Sequence, residues 1–180
     1  MQDFLTNKNS NNLDCNLAIN KLNKLNIKQQ KDLFRQKMKT LAHKNHLSDN
    51  LNLTNWQKNL SVFLQKTPYK RIIGYQAILN EPQLINITNF IPPQAKQIDI
   101  YLGYNLYLIP CLAIDKNFNR LGRGGGFYDK LIKAVKQNSN SCQIIACGWS
   151  WQIVNNLPIQ LHDQKIDGFI CETDIKVANL

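Results

Sequence analysis

Glutamate is nearly absent from this chain of 180 residues, which carries 22 lysines and arginines against 12 acidic side chains and a formal net charge of +10. Such an excess of positive charge favours an anionic partner, such as a phosphate, a nucleotide or a nucleic acid. A biased genome that enriches Asn and Lys would give the same composition without any such partner. The charge alone therefore does not choose a function.

Long apolar runs are absent as well. The longest candidate, residues 99–115, is interrupted by Asp, Gly, Asn and Pro and is too short to cross a bilayer. Residues 1–14 lack the basic start and the apolar run of a signal peptide. These absences lead us to expect a cytoplasmic protein without a membrane partner.

The five cysteines form no C-x-x-C pair. Cys111, Cys147 and Cys171 stand in apolar, strand-like runs, which is typical of buried thiols in a reducing compartment rather than of metal ligands. A disulfide framework is not expected in that context. The three histidines have no recognisable Ser or Cys partner, so the sequence does not indicate a nucleophilic catalytic pair.

The order of predicted elements indicates one folded unit. Residues 1–26 are predicted to be an Asn- and Lys-rich extension, and residues 27–180 the domain itself. Predicted strands alternate with predicted helices, as in βαβ units. We therefore expect a single three-layer α/β domain with a mostly parallel sheet flanked by helices.

Three helices are predicted from the spacing of apolar residues, at residues 27–47, 53–66 and 127–137. Ser48 is the expected N-cap of the second. The side chains expected to face inward are Leu33, Phe34, Met38, Leu41 and Ala42, then Trp56, Leu60, Phe63 and Leu64, then Phe127, Leu131, Ile132 and Val135.

Strands are predicted at residues 69–78, 98–103, 105–115, 141–149 and 167–172. The run at residues 105–115, NLYLIPCLAID, is almost wholly apolar, as expected of a strand that is buried on both faces. A short helix is expected after Glu81 and Pro82, because proline is favoured in a first helical turn.

The most informative stretch is RLGRGGGFYDK, residues 120–130, which joins this buried strand to the third helix. Ligands of open α/β sheets bind outside the carboxyl ends of the strands, and a helix start offers unpaired N–H groups. The three consecutive glycines let the backbone approach a ligand, and the two arginines add cationic donors. The stretch predicts a polyphosphate cradle, although a flexible loop without a ligand is also compatible. It is neither a P-loop nor a G-x-G-x-x-G motif, because Phe127 replaces the last glycine.

Two features near the cradle have more than one interpretation. Asp129 suits Mg²⁺, which prefers oxygen ligands beside nucleotide phosphates, but an acidic residue stabilises any first helical turn. Lys28, Lys31, Arg35 and Lys39 share one face of the first helix, which suits either a solvated surface or contact with phosphate. The residues alone decide neither question.

The glycine stretch and the LYLIPCLAID run before it resemble the signature of the 5-formyltetrahydrofolate cyclo-ligase family, also called methenyltetrahydrofolate synthetase. KDLFRQKM at residues 31–38 resembles that family's N-terminal helix, and GYQAILNEP at residues 74–82 its strand-then-glutamate segment. LPIQLHDQKIDGFICE at residues 157–172 resembles its C-terminal segment. The likeness extends from residue 28 to about residue 174.

The resemblance implies an enzyme that uses ATP to convert 5-formyltetrahydrofolate into 5,10-methenyltetrahydrofolate, with Mg²⁺ as cofactor. Formylfolate and ATP are its implied small-molecule partners, and we expect a monomer that binds neither nucleic acid nor membrane. The resemblance assigns ATP binding to Lys31, Arg35, Arg120, Leu121, Gly122, Arg123, Gly124, Gly125, Gly126 and Tyr128, catalysis to Arg123 and Tyr128, folate binding to Tyr75, Glu81 and Phe127, and metal binding to Asp129 and Asp163.

Two departures from the family keep an alternative open. Only 38 residues separate Glu81 from Arg120, fewer than in the family, and Phe118 stands where the family usually has a turn glycine. The alternative is a catalytically defective or substrate-altered nucleotide-binding relative. A nucleic-acid-binding protein is the third hypothesis, but the aromatic side chains are not interleaved with basic ones as stacking platforms require.

Overall fold

The computed structural model describes residues 25–45, 50–66, 68–88, 90–91, 101, 103–138 and 141–178. Within these residues the helices are α1 (Ile27–Asn45), α2 (Asn50–Gln65) and α3 (Phe127–Asn138), with a short 3₁₀ turn at Ser150–Gln152. The strands are β1 (Arg71–Ile73), β2 (Phe90–Ile91), β3 (Asn105–Pro110), β4 (Ala113–Asp115), β5 (Arg120–Leu121), β6 (Cys142–Cys147), β7 (Ile153–Val154), β8 (Gly168–Ile170) and β9 (Ile175–Val177).

A six-stranded sheet forms the centre of the molecule, in the order β2-β1-β3-β6-β8-β9. The first five strands in that order pair in parallel, and β9 pairs antiparallel with β8. The chain runs outward from β1 to β2 and then returns to the other side of β1 at β3. The strand order therefore reverses between β1 and β3, which is where open α/β sheets bind their ligands.

The central strand β3 explains why the sheet is covered on both faces. All six of its residues are buried, and successive side chains point to opposite faces. Leu106 and Leu108 pack in a cluster with Trp56 of α2, whereas Tyr107 and Ile109 pack with the apolar side of α3. Full burial of each such aliphatic side chain contributes about 1.5 to 3 kcal/mol. Helices α2 and α3 thus lie on opposite faces, which confirms the three-layer α/β fold.

The run NLYLIPCLAID forms two strands, so the prediction of a single strand is wrong. β3 ends at Pro110, and two residues later the chain enters β4 of a second sheet, ordered β5-β4-β7. The cause is a hydrogen bond of 2.8 Å from the Leu112 N–H to the Leu121 carbonyl, which pairs the backbone with β5. Helix α1 covers this small sheet, and its Met38 is fully buried there.

The segment after β1 also departs from the prediction. The strand predicted at residues 69–78 is confined to β1, and residues 82–88 form no helix. The Glu81 carboxylate accepts the Ile78 N–H at 3.1 Å, and the Tyr75 hydroxyl donates to the Pro82 carbonyl at 2.7 Å. These hydrogen bonds hold residues 75–82 in a turn. A helix that began here would have to break them.

The helix predictions are confirmed to within three residues at each described end. Leu33 is an exception among the inward residues, because it is 44% exposed and lies well round α1 from the buried Met38. Cys111, Cys147 and Cys171 are buried, as predicted.

Several predictions concern residues that the structure does not describe. Ser48, residues 1–24 of the predicted extension and most of the strand predicted at residues 98–103 lie outside the described residues. None of the described helices has both the length and the apolar character needed to cross a membrane.

Candidate functional site

A cavity of about 190 Å³ opens at the switch point between β1 and β3. Three parts of the chain form its walls: the turn after β1, the end of β3, and the glycine loop with the first turn of α3. Parallel strands bring their carboxyl ends to one edge, so segments that are distant in sequence meet here. The lining residues are Arg35, Gln76, Ile78, Glu81, Pro110, Cys111, Leu112, Arg120, Gly122, Arg123, Gly124, Gly125, Gly126, Phe127, Tyr128 and Asp129.

The glycine loop, residues 122–126, forms one wall. Gly124 and Gly126 have φ values of +103° and +69°, which residues with a side chain rarely adopt. A Cβ added at Gly125 would meet no atom within 4 Å, so this backbone faces open space. Helix α3 begins at Phe127, and its first N–H groups have no partner within the helix. The loop and the helix start therefore offer N–H groups to the cavity, as a phosphate cradle requires.

Two arginines flank this cradle. Arg35 of α1 donates from Nε to the Gly122 carbonyl at 3.1 Å and pairs through Nη1 with Asp32 at 2.6 Å. Arg123 pairs through Nε with Glu81 at 3.0 Å. A guanidinium has five N–H donors, so both side chains keep donors for an anion.

Arg120 lies beneath the cradle. Its side chain is 2% exposed, and it donates to the Pro110 carbonyl at 3.1 Å and to Asp129 at 3.0 Å. Its guanidinium lies 5.5 Å from the centroid of the Tyr128 ring. Its Nε is buried and finds no hydrogen-bond partner in the described part of the chain. Arg120 therefore orients the first-turn side chains Tyr128 and Asp129.

Burial controls the protonation of the groups around the cavity. Burial, reinforced by Glu81 and opposed by Arg120, raises the pKa of Tyr128 to about 12, so its hydroxyl remains a donor at neutral pH. Burial raises the pKa of Cys111 to about 12 as well, which makes this thiol a poor nucleophile. Tyr75 is outside the lining and supports the Glu81 turn through its bond to Pro82, and burial raises its pKa well above the usual value.

Lys31 and Asp163 form an ion pair outside the cavity lining. The Lys31 Nζ lies 2.5 Å from both Asp163 oxygens and 3.1 Å from Oε1 of Gln160. Lys31 is only 7% exposed. The pair ties α1 to residues 160–163, and Arg35 lies on the same face of α1, one turn further on, where it reaches Gly122.

The two carboxylates predicted to hold Mg²⁺ differ in their surroundings. Asp129 is 34% exposed, and its Oδ2 accepts no hydrogen bond from the described residues, so it fits one ligand position. Asp163 fits less well, because Lys31 engages both of its oxygens. Among the described residues, no group of three or more His, Cys, Asp or Glu could hold a metal, but Mg²⁺ often binds one or two carboxylates together with phosphates. Both metal assignments stay predictions.

The cavity thus gathers most of the residues assigned from the sequence, and four lie outside its lining. Those four are Lys31, Tyr75, Leu121 and Asp163. Leu121 is 2% exposed in the core below α1, so only its backbone could reach a ligand. Ligand contacts of all these residues stay predictions.

Six residues in or beside the site were missed from the sequence. Asp32 lies three residues before Arg35, and this spacing is a recognisable signal for a helical ion pair. The other five carry no local signal, because only the sheet order brings them to the glycine loop; they are Gln76, Ile78, Pro110, Cys111 and Leu112.

A larger cavity, about 640 Å³, lies between α2 and residues 85–88. Among its described lining residues Lys58 carries the one charge. It is not at the carboxyl ends of β1 and β3 and has no glycine cradle. We therefore assign the chemistry to the smaller cavity.

A family model described as the 5-formyltetrahydrofolate cyclo-ligase family matches residues 83–172, which is 90 of the 180 residues. The matched stretch contains β3, the glycine loop and Asp163. It does not contain α1 or Glu81, whose assignments rest on the resemblance of shorter segments.

Curated relatives carry the same name. The 5-formyltetrahydrofolate cyclo-ligase of Mus musculus is 37% identical over 71 residues, which cover 39% of this chain and 35% of the relative. The 5-formyltetrahydrofolate cyclo-ligase of Haemophilus influenzae is 34% identical over 108 residues, which cover 59% of this chain and 51% of the relative. The chain thus spans about half or less of the length of these relatives.

Two solved structures share the fold. The 5,10-methenyltetrahydrofolate synthetase of Aquifex aeolicus aligns with a TM-score of 0.61 at 21% identity, over 82% of this chain and 92% of that one. The enzyme of the same name from Mycoplasma pneumoniae aligns with a TM-score of 0.62 at 21% identity, over 79% and 98%. This likeness concerns the fold alone. Because the family model matches half of its length, the chain belongs to the 5-formyltetrahydrofolate cyclo-ligase family.

Proposed function

We propose that the protein uses ATP to convert 5-formyltetrahydrofolate into 5,10-methenyltetrahydrofolate, releasing ADP and phosphate. The observation that carries the proposal is the glycine cradle facing Glu81 within one cavity. The cradle suits the phosphates of a nucleotide. Glu81 is a carboxylate that can accept N–H groups of a second, nitrogen-bearing substrate.

The proposed reaction has two steps. The formyl oxygen attacks the terminal phosphorus of ATP, and the bond from that phosphorus to ADP breaks. N10 of the folate then attacks the formyl carbon, the carbon–oxygen bond to phosphate breaks, and N10 loses its proton. The nucleophiles belong to the substrates, so the protein mainly positions them and stabilises charge.

The residues of the cavity suit these tasks. The N–H groups of residues 122–126 and of the first turn of α3 would hold the phosphates, and Arg123 would stabilise charge on the transferring group. The Tyr128 hydroxyl remains protonated and would donate a hydrogen bond to an anionic oxygen. Mg²⁺, for which Asp129 offers one free oxygen, would offset phosphate charge when bound.

The cations of the site are held in ion pairs with carboxylates, and an incoming phosphate could exchange with those carboxylates. Each cation assigned to ATP is paired with a carboxylate: Lys31 with Asp163, Arg35 with Asp32, Arg120 with Asp129, and Arg123 with Glu81. A phosphate that binds the remaining Arg123 donors would share the guanidinium with Glu81 and weaken that ion pair. We infer that nucleotide binding makes Glu81 available to the folate.

The proposal is tested by absorbance at the methenylfolate band. Protein, 5-formyltetrahydrofolate, ATP and Mg²⁺ are mixed, and each is left out in turn. We expect a rise that requires all four components. ATP binding by calorimetry without any rise would overturn the proposed reaction.

A second candidate function is nucleotide binding with an altered or lost folate reaction. The observation that favours it is the short segment of 38 residues between Glu81 and Arg120. It predicts ATP binding without ADP release that depends on formylfolate.

The remaining assignments are part of the same proposal. We propose a monomer that acts in the cytoplasm on small molecules, without a nucleic-acid or membrane partner. Residues 27–180 would form the catalytic domain and residues 1–26 an extension to it.

A further inference from the structure

A cavity of about 100 Å³, here called the second cavity, lies on the far side of the Glu81 turn from the cavity of about 190 Å³, the first cavity. It is lined by Ala42 and Asn45 of α1, by Asn52 and Asn80, and by the aromatic side chains of Trp149 and Trp151 with Glu172. The chain has three tryptophans. The third, Trp56, is fully buried in the core, whereas the two that line this cavity are half-buried.

Glu172 gives the cavity a fixed acceptor. The chain contains two glutamates, and the other is Glu81 of the first cavity. One oxygen of Glu172 accepts the Ser150 N–H at 2.9 Å, and the other is bonded to the Ser150 hydroxyl. A carboxylate offers about four acceptor positions, so two remain for another donor. The Oδ1 atom of Asn80 also accepts no hydrogen bond from the described residues.

The two cavities share one wall. Ile78 and Glu81 line the first, and Asn80 between them lines the second. Asn80 is fixed there, because Trp149 Nε1 donates to its carbonyl at 2.5 Å and its own side chain donates to the Ala42 carbonyl at 2.7 Å. Leu79 at the crest of the turn has a φ of +54° and is 80% exposed. Backbone strain of this kind is found at ligand clamps.

The spacing along α1 gives the distance between the cavities. Arg35 lines the first, and Ala42 and Asn45, seven and ten residues further on, line the second. At a rise of 1.5 Å per residue, the two lie about 10 to 15 Å apart along the helix. A ligand with phosphates at one end and a ring system at the other can reach both.

We propose that the cavity of Trp149, Trp151 and Glu172 binds a fused two-ring nitrogen heterocycle with an exocyclic amino group. The indoles supply apolar faces for stacking, and Glu172 and Asn80 supply acceptors for the exocyclic amino group. The volume holds one ring system and not a whole ligand, so the cavity is a subsite. The adenine of ATP has this chemistry, and its identification as the source rests on the proposed function.

The test uses Trp151→Leu, which keeps an apolar side chain in place of the indole, and Glu172→Gln, which keeps an acceptor for Ser150. Val62→Ala, on an exposed face of α2 outside the described cavities, is the matched control. Calorimetry measures the affinity of each variant for ATP, for inorganic tripolyphosphate and for 5-formyltetrahydrofolate. Urea midpoints verify the fold.

If the subsite binds adenine, both variants lower ATP affinity about tenfold and leave tripolyphosphate unchanged. A loss of formylfolate affinity by a similar factor, with ATP affinity unchanged, would overturn the adenine assignment. Unchanged affinities in both variants overturn the subsite, as does an equal loss for ATP and tripolyphosphate. Turnover by the wild type is a separate measurement, so failure of the subsite leaves the proposed reaction standing, and failure of turnover leaves the subsite testable.

Discussion

The two walls of the first cavity are built in different ways. The glycine wall consists of backbone: residues 122–126 and the start of α3 offer N–H groups, and Gly124 and Gly126 have positive φ. The opposite wall consists of side chains. Glu81 is held there by the Ile78 N–H and by Arg123.

The backbone wall of residues 122–126 is therefore a fixed wall. The side-chain wall with Glu81 is an exchangeable wall, because its ion pair can change partners. The fold determines the cradle, which is therefore preorganised before any ligand binds. The Arg123 side chain is 33% exposed and that of Glu81 only 8% exposed, so Arg123 is the partner that an incoming anion can reach. A phosphate bound to Arg123 would weaken its pair with Glu81, so we expect the side-chain wall to depend on what occupies the glycine wall.

The largest expected effect comes from filling the fixed wall. Gly125→Trp places an indole in the space that the phosphates would occupy, so we expect turnover to fall on the order of 100-fold or more. The fold should survive, because Gly125 has no positive φ and an added Cβ meets nothing within 4 Å. Steady-state turnover and a urea midpoint measure the two effects.

Gly125→Ala is the matched control for this variant. A methyl group fits the same open space, so turnover should remain within a few-fold of the wild type. Full turnover in the tryptophan variant would show that residues 122–126 do not hold the phosphates.

The exchangeable wall is tested by removing one partner at a time. Glu81→Gln frees Arg123, so we expect ATP affinity to stay the same or to rise up to about tenfold, while formylfolate affinity falls about tenfold. Arg123→Gln should weaken ATP instead. Calorimetry with each ligand separates the outcomes, and a loss of ATP affinity in Glu81→Gln would show that the pair is a rigid structural unit.

A third comparison is with the Lys31–Asp163 pair outside both walls. Asp163→Asn leaves the buried Lys31 ammonium without its counterion, so we expect a loss of about 2 kcal/mol in the free energy of unfolding. Asp174→Asn is the control, because its pair with Lys176 is half exposed and should contribute little. Urea unfolding compares the two variants, and equal midpoints would mean that the 160–163 turn does not hold α1.

The same contrast explains what the sequence could predict. The loop before α3 was predictable because its signals are local: glycines, arginines and a helix start within eleven residues. The split of NLYLIPCLAID was not, since it depends on the pairing of Leu112 with Leu121. The hydrogen bond between Arg123 and Glu81 joins residues 42 positions apart, and no local sequence pattern predicts it.

Phe118 shows how a departure from a family pattern can be accommodated. It stands where the resemblance leads one to expect glycine, and it has the positive φ, +59°, that glycine would favour. The Asp115 carboxylate accepts the N–H groups of Asn117 and Asn119 at 2.9 and 3.0 Å, which fixes the turn around it. Its ring packs against the core. Tertiary contacts thus hold a conformation that the residue type disfavours.

The last prediction concerns Cys111, which lines the floor of the same cavity. Burial raises the pKa of Cys111 from the usual 9.0 to about 12, so the folded state keeps a proton that the unfolded chain releases above pH 9. Its contribution to stability is complete below pH 9 and is lost between pH 9 and about 12, by on the order of 1 kcal/mol per pH unit. Urea unfolding at several pH values should show a shallower fall for Cys111→Ala than for the wild type. Between pH 9 and 10, below the usual pKa of tyrosine, Tyr128 contributes little to that slope. Identical slopes there would mean that water reaches the thiol and that the cavity floor is not dry.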